Sequence, residues 1–249
     1  MITENNKMVD LVHRNYALIT VLERFGIALG FGDKTIREVC EEKNLNIPFF
    51  LEIINSFLDD DYFPREHLIS FPLKLIIDYL TRTHRDYLEK KIPEIEMIIS
   101  DEQSPCYKNS EHNFLLTKFF REYKNELIMH IRREDEQVFP YTLKVEEFYL
   151  NAPQNTVIPR EIAGYSIMDY LREHDDIEEK LFDLKNIIIK YLPPPLHPDA
   201  CYRVIAMLFD LEKDINDHSR IEEKVLVPKV AMMEKNIRDR FHRNKSSKA

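Results

Sequence analysis

The segments His130-Ile-Arg-Arg-Glu134 and His218-Ser-Arg-Ile-Glu222 repeat one pattern, a histidine followed four residues later by a glutamate. On an α-helix that spacing is about 6 Å along the axis and about 40° around it, so each pair offers an imidazole and a carboxylate to one point. Two further histidines fall at matching intervals: 46 residues separate His84 from His130, and 44 separate both His130 from His174 and His174 from His218. If helices and loops of similar length alternate, these offsets set one histidine at a common height on each of four successive helices. A structural zinc site uses about four ligands, fewer than four imidazoles and two carboxylates supply. The larger set suits two metal ions, each holding two histidines, with Glu134 and Glu222 bridging. A bridging oxide or hydroxide would complete five positions on each ion and leave one open to a small ligand. Nitrogen and oxygen donors without a thiolate favour iron or manganese, although zinc binds such sets tightly; of the three, iron makes redox and diatomic-gas chemistry easiest. An isolated His-x-x-x-Glu pair on a charged helix is ordinarily a solvated surface pair. Recurrence on alternate helices, with level histidines between, separates this sequence from that case.

Neighbouring residues carry weaker signals. Asp214 lies one turn before His218 and could accept its remaining ring proton or equally belong to a solvated acidic face. Glu178 follows His174 by four residues and is expected to be a surface or supporting carboxylate rather than a seventh ligand. His112 shares a helix face with His130 but stands about 27 Å away along the axis, at most at the mouth of a bundle. His13, His67, His197 and His242 sit near termini or linkers and are expected to be structural or exposed. Tyr87, Tyr123, Tyr165 and Tyr170 fall on the long helices, where core packing is the default role and a metal-pocket lining the alternative. Cys40 and Cys201 are expected to be buried, and Cys106, after Pro105, to lie in an exposed loop.

The elements that must position these residues follow from composition and punctuation. The chain has 249 residues with 4 Gly, 13 Pro, 15 Phe, 12 Tyr and no Trp, and 32% of its residues are charged. So few glycines argue against a Gly-rich nucleotide crevice, a phosphate-binding loop or a turn-rich β-sandwich, and favour long helices. Long helical stretches are expected over residues 72–99, 110–137 (resuming after Pro140), 159–191 and 198–241, with distortions at Pro93 and Pro228. Four such stretches joined by loops make an all-α, antiparallel four-helix bundle over residues 67–249. Residues 1–66 form a small helical domain. Its helices are expected over 10–25, after an Asp33 cap, and over 46–58 with Pro48 in the first turn; Gly26, Gly30 and Gly32 reverse the chain, and residues 67–70 link onward.

A formal net charge of −9 disfavours broad nucleic-acid binding or adhesion to an anionic membrane. Apolar runs such as Ile187–Ile189 fall far short of the roughly 20 residues that cross a bilayer. Three separated cysteines and no secretory signal predict a reducing, cytoplasmic setting.

Taken together, the segments around His84, His130–Pro140, Glu173-His174-Asp175 and His218–Pro228 resemble the hemerythrin-like di-iron proteins of the iron-sulfur cluster repair family. The resemblance covers nearly the whole chain. It includes His197-Pro-Asp-Ala-Cys201 before the last helix and Leu22-Glu-Arg-Phe-Gly26-Ile in the N-terminal domain. It implies a hemerythrin-like bundle, a non-haem di-iron centre with His84, His130, His174 and His218 as terminal ligands, and Glu134 and Glu222 as bridges. It further implies a cytoplasmic role in recovery from nitric oxide or oxidative stress: repair of damaged iron-sulfur clusters, iron delivery, or nitric oxide reduction. Its partners would be nitric oxide or oxygen, damaged iron-sulfur proteins and an external electron donor, since no flavin or nicotinamide motif is present; it leaves room for a homo-oligomer. A sensor that binds oxygen or nitric oxide without turnover, and a helical partner-binding protein with a decayed site, are the competing classes. Two departures stand out. Where the family carries an adjacent cysteine pair this chain reads Leu29-Gly30-Phe31-Gly32-Asp33, and Glu178 replaces the family's usual glycine.

Overall fold

The structure is a computed structural model that describes residues 1–101, 103, 105–107, 109–153, 156–172 and 177–246. The described residues are helical apart from turns and loops, and their only β feature is an isolated bridge between Lys7 and Thr35. The chain divides into two units, Met1–Thr83 with Lys224–Leu226 and His84–Glu223 with Val227–Ala249.

The N-terminal unit holds α1 (Met8–Arg14), α2 (Leu18–Arg24), α3 (Ile36–Glu42), α4 (Ile47–Leu58) and α5 (Arg65–Ser70). The single helix expected over residues 10–25 is two. At Asn15 the backbone turns extended, and the Asn15 side chain accepts from Ala17 N–H at 3.0 Å, offering the chain a local turn in place of another helical bond. Tyr16 is consequently exposed. Helix α2 ends in a Schellman motif: Gly26, at φ +73°, donates to Glu23 O at 2.8 Å, and Ile27 donates to Leu22 O at 2.9 Å. The cap of α3 is Thr35, not Asp33. Thr35 Oγ1 accepts from Glu38 N–H while the Glu38 carboxylate accepts from Thr35 N–H, a complete capping box. Helix α4 has Pro48 in its first turn as expected, and Asn46 caps it. Residues 67–70, expected as a linker, belong to α5. Phe25, Phe49, Phe50 and Phe71 interlock edge to face at the centre of this unit. Thr35→Ala is expected to lower stability by about 1 kcal/mol, read as a lower urea midpoint at unchanged slope.

The larger unit is a bundle of long helices. Helix α6 (Leu73–Asp86), of which residues 73–83 belong to the N-terminal unit, leads into α7 (Ile92–Ile99), α8 (Ser110–Arg133) into α9 (Phe139–Asn151), and α13 (Pro198–Ile221) into α14 (Val227–Ser246). The third position is taken by the short α10 (Arg160–Ala163), α11 (Ile167–Arg172) and α12 (Ile177–Asn186). Helices α7, α8, α12 and α13 close a ring, each packing on its two neighbours, while α14 packs on α9 and α11. The apolar stripes have helical spacing: Leu116, Phe120, Tyr123, Leu127 and Ile131 on α8, and Val204, Leu208, Leu211 and Ile215 on α13. Each such side chain contributes roughly 1.5–3 kcal/mol on burial.

Pro93, Pro140 and Pro228 do not break these helices. Ile92, Phe139, Val227 and Leu192 each precede a proline, and each donates its N–H to the carbonyl five residues back, closing a single π turn. Proline has no N–H and its ring collides with the carbonyl four residues back; widening the turn by one residue removes the collision. After Pro93, Pro140 and Pro228 the chain continues as α-helix. Before Pro193, Leu192 is extended and the helix stops.

Candidate metal centre

The two His-x-x-x-Glu pairs prolong the apolar stripes. Leu127 is followed by His130 and Glu134, and Ile215 by His218 and Glu222, at the same three-and-four spacing. The sequence thus continues a core-facing stripe with ionisable groups, and packing draws them inside. His84, Glu134, His218 and Glu222 are all buried, and their ligand atoms lie within 4.8 Å of one another. His84 Nε2 is 3.0 Å from His218 Nε2 and 3.1 Å from Glu134 Oε2. His130 is half-buried beside them, with Nε2 3.1 Å from Glu134 Oε1. Five of the six residues singled out by spacing therefore converge. The sixth, His174, lies outside the described residues.

Three supporting contacts carried no spacing signal. Asp135 Oδ1 is 2.9 Å from His84 Nδ1, fixing the ring so that Nε2 faces the cluster. Phe139 stacks on the other side of His84, with centroids 5.4 Å apart and planes inclined by 7°. Tyr170 donates its hydroxyl to Glu134 Oε1. Among tyrosines expected to be packing residues, Tyr170 reaches the cluster and Tyr87 meets the His218 ring edge-on. Two expectations fail. Asp214 turns to Lys91 rather than to His218, whose Nδ1 has no hydrogen-bond partner among the described residues. Cys106 is buried, not exposed.

The electrostatics are those of too few positive charges. Burial opposes a charged imidazole at His84, but the hydrogen bond to Asp135 and the adjoining Glu134 carboxylate outweigh it and raise its pKa to about 10. His130 is likewise raised by Glu134 against its burial. Burial also opposes ionisation of Glu134, yet the imidazoles of His130 and His84, each 3.1 Å away, hold its carboxyl well below the usual range. At the second pair the balance reverses: burial and the charge on Glu134 push Glu222 well above the carboxylate range, and burial with the charge on His84 lowers His218 to about 3. The protein alone can ionise one of its two buried carboxylates.

Hydrogen-bond satisfaction points the same way. Glu134 Oε2 and Glu222 Oε1 lie 3.1 and 3.2 Å from imidazole nitrogens but receive no well-directed hydrogen bond, and Glu222 Oε2 has no partner among the described residues. Buried carboxylate oxygens left in this state cost on the order of 1–3 kcal/mol each. A cation among them satisfies these lone pairs and both facing Nε2 atoms, so the residues present fit a metal with nitrogen and oxygen preference.

A cavity of about 220 Å³ opens onto His84, His130 and His218. Leu127, Ile131, Ile177 and Ile215 give it apolar walls, and Glu178 stands on its lining. Among the described residues, no helix is long and apolar enough to cross a membrane.

A helical bundle with a buried His/Glu cluster beside a cavity of mixed polar and apolar lining defines a class of cation-binding helical proteins. Within it, this chain belongs to the hemerythrin family: the family described as "Hemerythrin HHE cation binding domain" matches residues 75–230. The chain is similar to the iron-sulfur cluster repair protein ScdA of Staphylococcus haemolyticus, with 19% identity over 230 residues, covering 92% of this chain and 99% of that protein. It is similar to the iron-sulfur cluster repair protein YtfE of Escherichia coli O139:H28, with 25% identity over 163 residues, covering 64% and 67%.

Proposed function

We propose that the chain is a di-iron protein acting in recovery of iron-sulfur clusters damaged by nitric oxide or oxidative stress. The observation that carries this reading is the convergence of His84 Nε2 and His218 Nε2 at 3.0 Å beside Glu134 and Glu222, with Glu222 lacking a well-directed hydrogen bond among the described residues. In this reading His84, His130, His174, His218, Glu134 and Glu222 would hold two iron ions. Iron in such a site supplies one-electron redox chemistry and affinity for nitric oxide or oxygen.

The chain's own residues set the conditions for that chemistry. Asp135 and Phe139 hold the His84 ring in one orientation. Tyr170, its phenol pushed up by burial and by the carboxylate of Glu134, stays protonated and donates to Glu134 Oε1. Glu178 and Glu223 on the cavity lining disfavour an anion, and the space suits a small uncharged diatomic. Glu178 adds a carboxylate where the resembling family has glycine, and narrows or recharges that approach. Residues 1–66 serve as an accessory domain and 67–249 as the bundle. The missing cysteine pair removes one route by which that domain could exchange thiols with a damaged client. We place the protein in the cytoplasm, dependent on an external electron donor.

The test is iron content after anaerobic reconstitution, followed by nitric oxide consumption with a chemical reductant. About two irons per chain and repeated turnover are expected. Fewer than one iron per chain would overturn the two-ion site, and binding of nitric oxide without turnover would make the protein a sensor.

A further inference from the structure

Four large apolar side chains on α12, on the turn Ile187–Tyr191 that prolongs it, and on α13 point away from the bundle core. Phe182, Ile189, Tyr202 and Phe209 are 54%, 56%, 62% and 48% exposed. They form one seam. Lys185 Nζ lies against both phenylalanine rings, 5.9 Å from the centroid of Phe182 and 4.0 Å from that of Phe209. Ile189 and Tyr202 share the wall of a cavity of about 370 Å³. Residue 182 thus meets 209 and 189 meets 202, so the two helices run antiparallel and the seam has a phenylalanine end and an isoleucine–tyrosine end. Lys185 is buried and paired with Glu212, so its charge is met within the protomer. Each seam residue is followed by an exposed charge: Phe182 by Asp183, Phe209 by Asp210, Ile189 by Lys190 and Tyr202 by Arg203. Both acids therefore stand at the phenylalanine end and both bases at the other. Single exposed apolar residues are ordinary, but a continuous apolar seam edged by charge marks a contact surface.

We propose that this face binds a second copy of the chain about a two-fold axis that crosses the seam between Asn186 and Ile187 and between Ala206 and Met207. A two-fold contact uses one patch twice, so the patch must complement itself. Asp183 and Lys190 are seven residues apart, as are Arg203 and Asp210, and the midpoints of the two pairs face each other across the seam. Exposed Asp199 and Lys213 are centred at the same height. With the axis across the seam, each helix lies over its own counterpart, reversed end to end. Phe182 and Phe209 then meet the partner's Ile189 and Tyr202. Asp183 meets the partner's Lys190, Asp210 the partner's Arg203, and Asp199 the partner's Lys213. An axis along the seam would instead set acid over acid and base over base, which charge disfavours. The net charge of −9 opposes contact between copies in general, so opposite charges matched at this face select it.

The full-length protein is followed by analytical ultracentrifugation from about 1 to about 100 μM, the range of weak specific association. A reversible monomer–dimer equilibrium is expected. Arg203→Asp alone and Asp210→Arg alone should each weaken the dimer about tenfold or more, because like charges then face each other across the axis. The double variant exchanges both charges and should restore wild-type association. Phe182→Ser and Tyr202→Ser, at exposed positions, should weaken the dimer about tenfold with unchanged helical circular dichroism. The three native cysteines are buried, so Ala206→Cys adds the one accessible thiol, close to the axis, and a short bis-maleimide should link two copies. A chain that stays monomeric over the whole range overturns the proposal and leaves the seam to another partner. It is equally overturned by a dimer that ignores the single charge reversals or the two serine variants, by failure of the double variant to restore association, or by no linkage through Ala206→Cys.

Discussion

Glu134→Gln is expected to cost the metal-free protein about 3 kcal/mol, whereas Glu222→Gln leaves it within about 1 kcal/mol of the wild type. Both substitutions should reduce iron retention below one ion per chain. The asymmetry follows from the environments of the two carboxylates. Glu134 is the charge that His84 and His130 face, and it also accepts from Tyr170. Neutralising it leaves raised, buried imidazoles without their counter-charge, the situation in which removing one partner of a buried pair is most costly. Glu222 has no well-directed protein hydrogen bond among the described residues, and its neutral form is favoured before any metal arrives. A neutral amide there removes little from the empty bundle and withholds a carboxylate only from the cation. Urea titration of both variants with and without iron separates the effects. Equal losses in the metal-free state would sink this account, as would full iron loading of Glu222→Gln. In wild type, saturating metal at about a thousand times its dissociation constant should add about 4 kcal/mol, absent from both variants.

Glu234→Ala is expected to destabilise the bundle by roughly 4 kcal/mol without touching the metal centre. Glu234 is buried on α14 and gathers three donors: Tyr141 Oη at 2.7 Å, Ser166 Oγ at 2.7 Å and Ile167 N–H at 2.8 Å. These donors come from α9 and from the start of α11, so one carboxylate ties three segments together. Truncation strands buried donors at roughly 1–3 kcal/mol each, partly relieved by water where Ser166 is half-buried. For a chain of this size the loss corresponds to a fall of about 8–16 °C in Tm. Arg238 lies 3.6 Å from the same carboxylate at the surface, and Arg238→Ala should cost under 1 kcal/mol. A Glu234→Ala loss of that same small size would show that the three bonds contribute little.

The sequence made the bundle and the converging His/Glu pairs legible for one reason: both are helix-periodic. Leu127, His130 and Glu134 form one stripe, as do Ile215, His218 and Glu222, and a fixed repeat can be read without coordinates. Asp135 was not legible, because it serves His84 on another helix, and cross-helix pairs have no fixed interval. Tyr170, which reaches Glu134 from another helix, was hidden likewise. Asp214 shows the converse error: its spacing to His218 was right, but Lys91 on the neighbouring segment wins its carboxylate with a full charge. At the N-terminus the errors were local. Asn15 breaks the first helix through its side chain, and Thr35 outcompetes Asp33 as a cap because Glu38 stands three residues on to complete the box. The prolines were seen as distortions, but periodicity does not say whether a helix absorbs a proline or ends there.

That absorption bears on any attempt to transplant the site. Glu134 and Glu222 are the opening residues of two of the wide turns, so the surplus residue lies immediately downstream of the ligands. A straight helix engrafted with His-x-x-x-Glu alone would reproduce the carboxylate but carry everything after it out of phase by about 100°. Phe139 would rotate off the face of His84, and Tyr141 away from Glu234. The portable unit is therefore the eleven-residue span from histidine to proline, since its one-residue insertion keys the cluster to the packing below it.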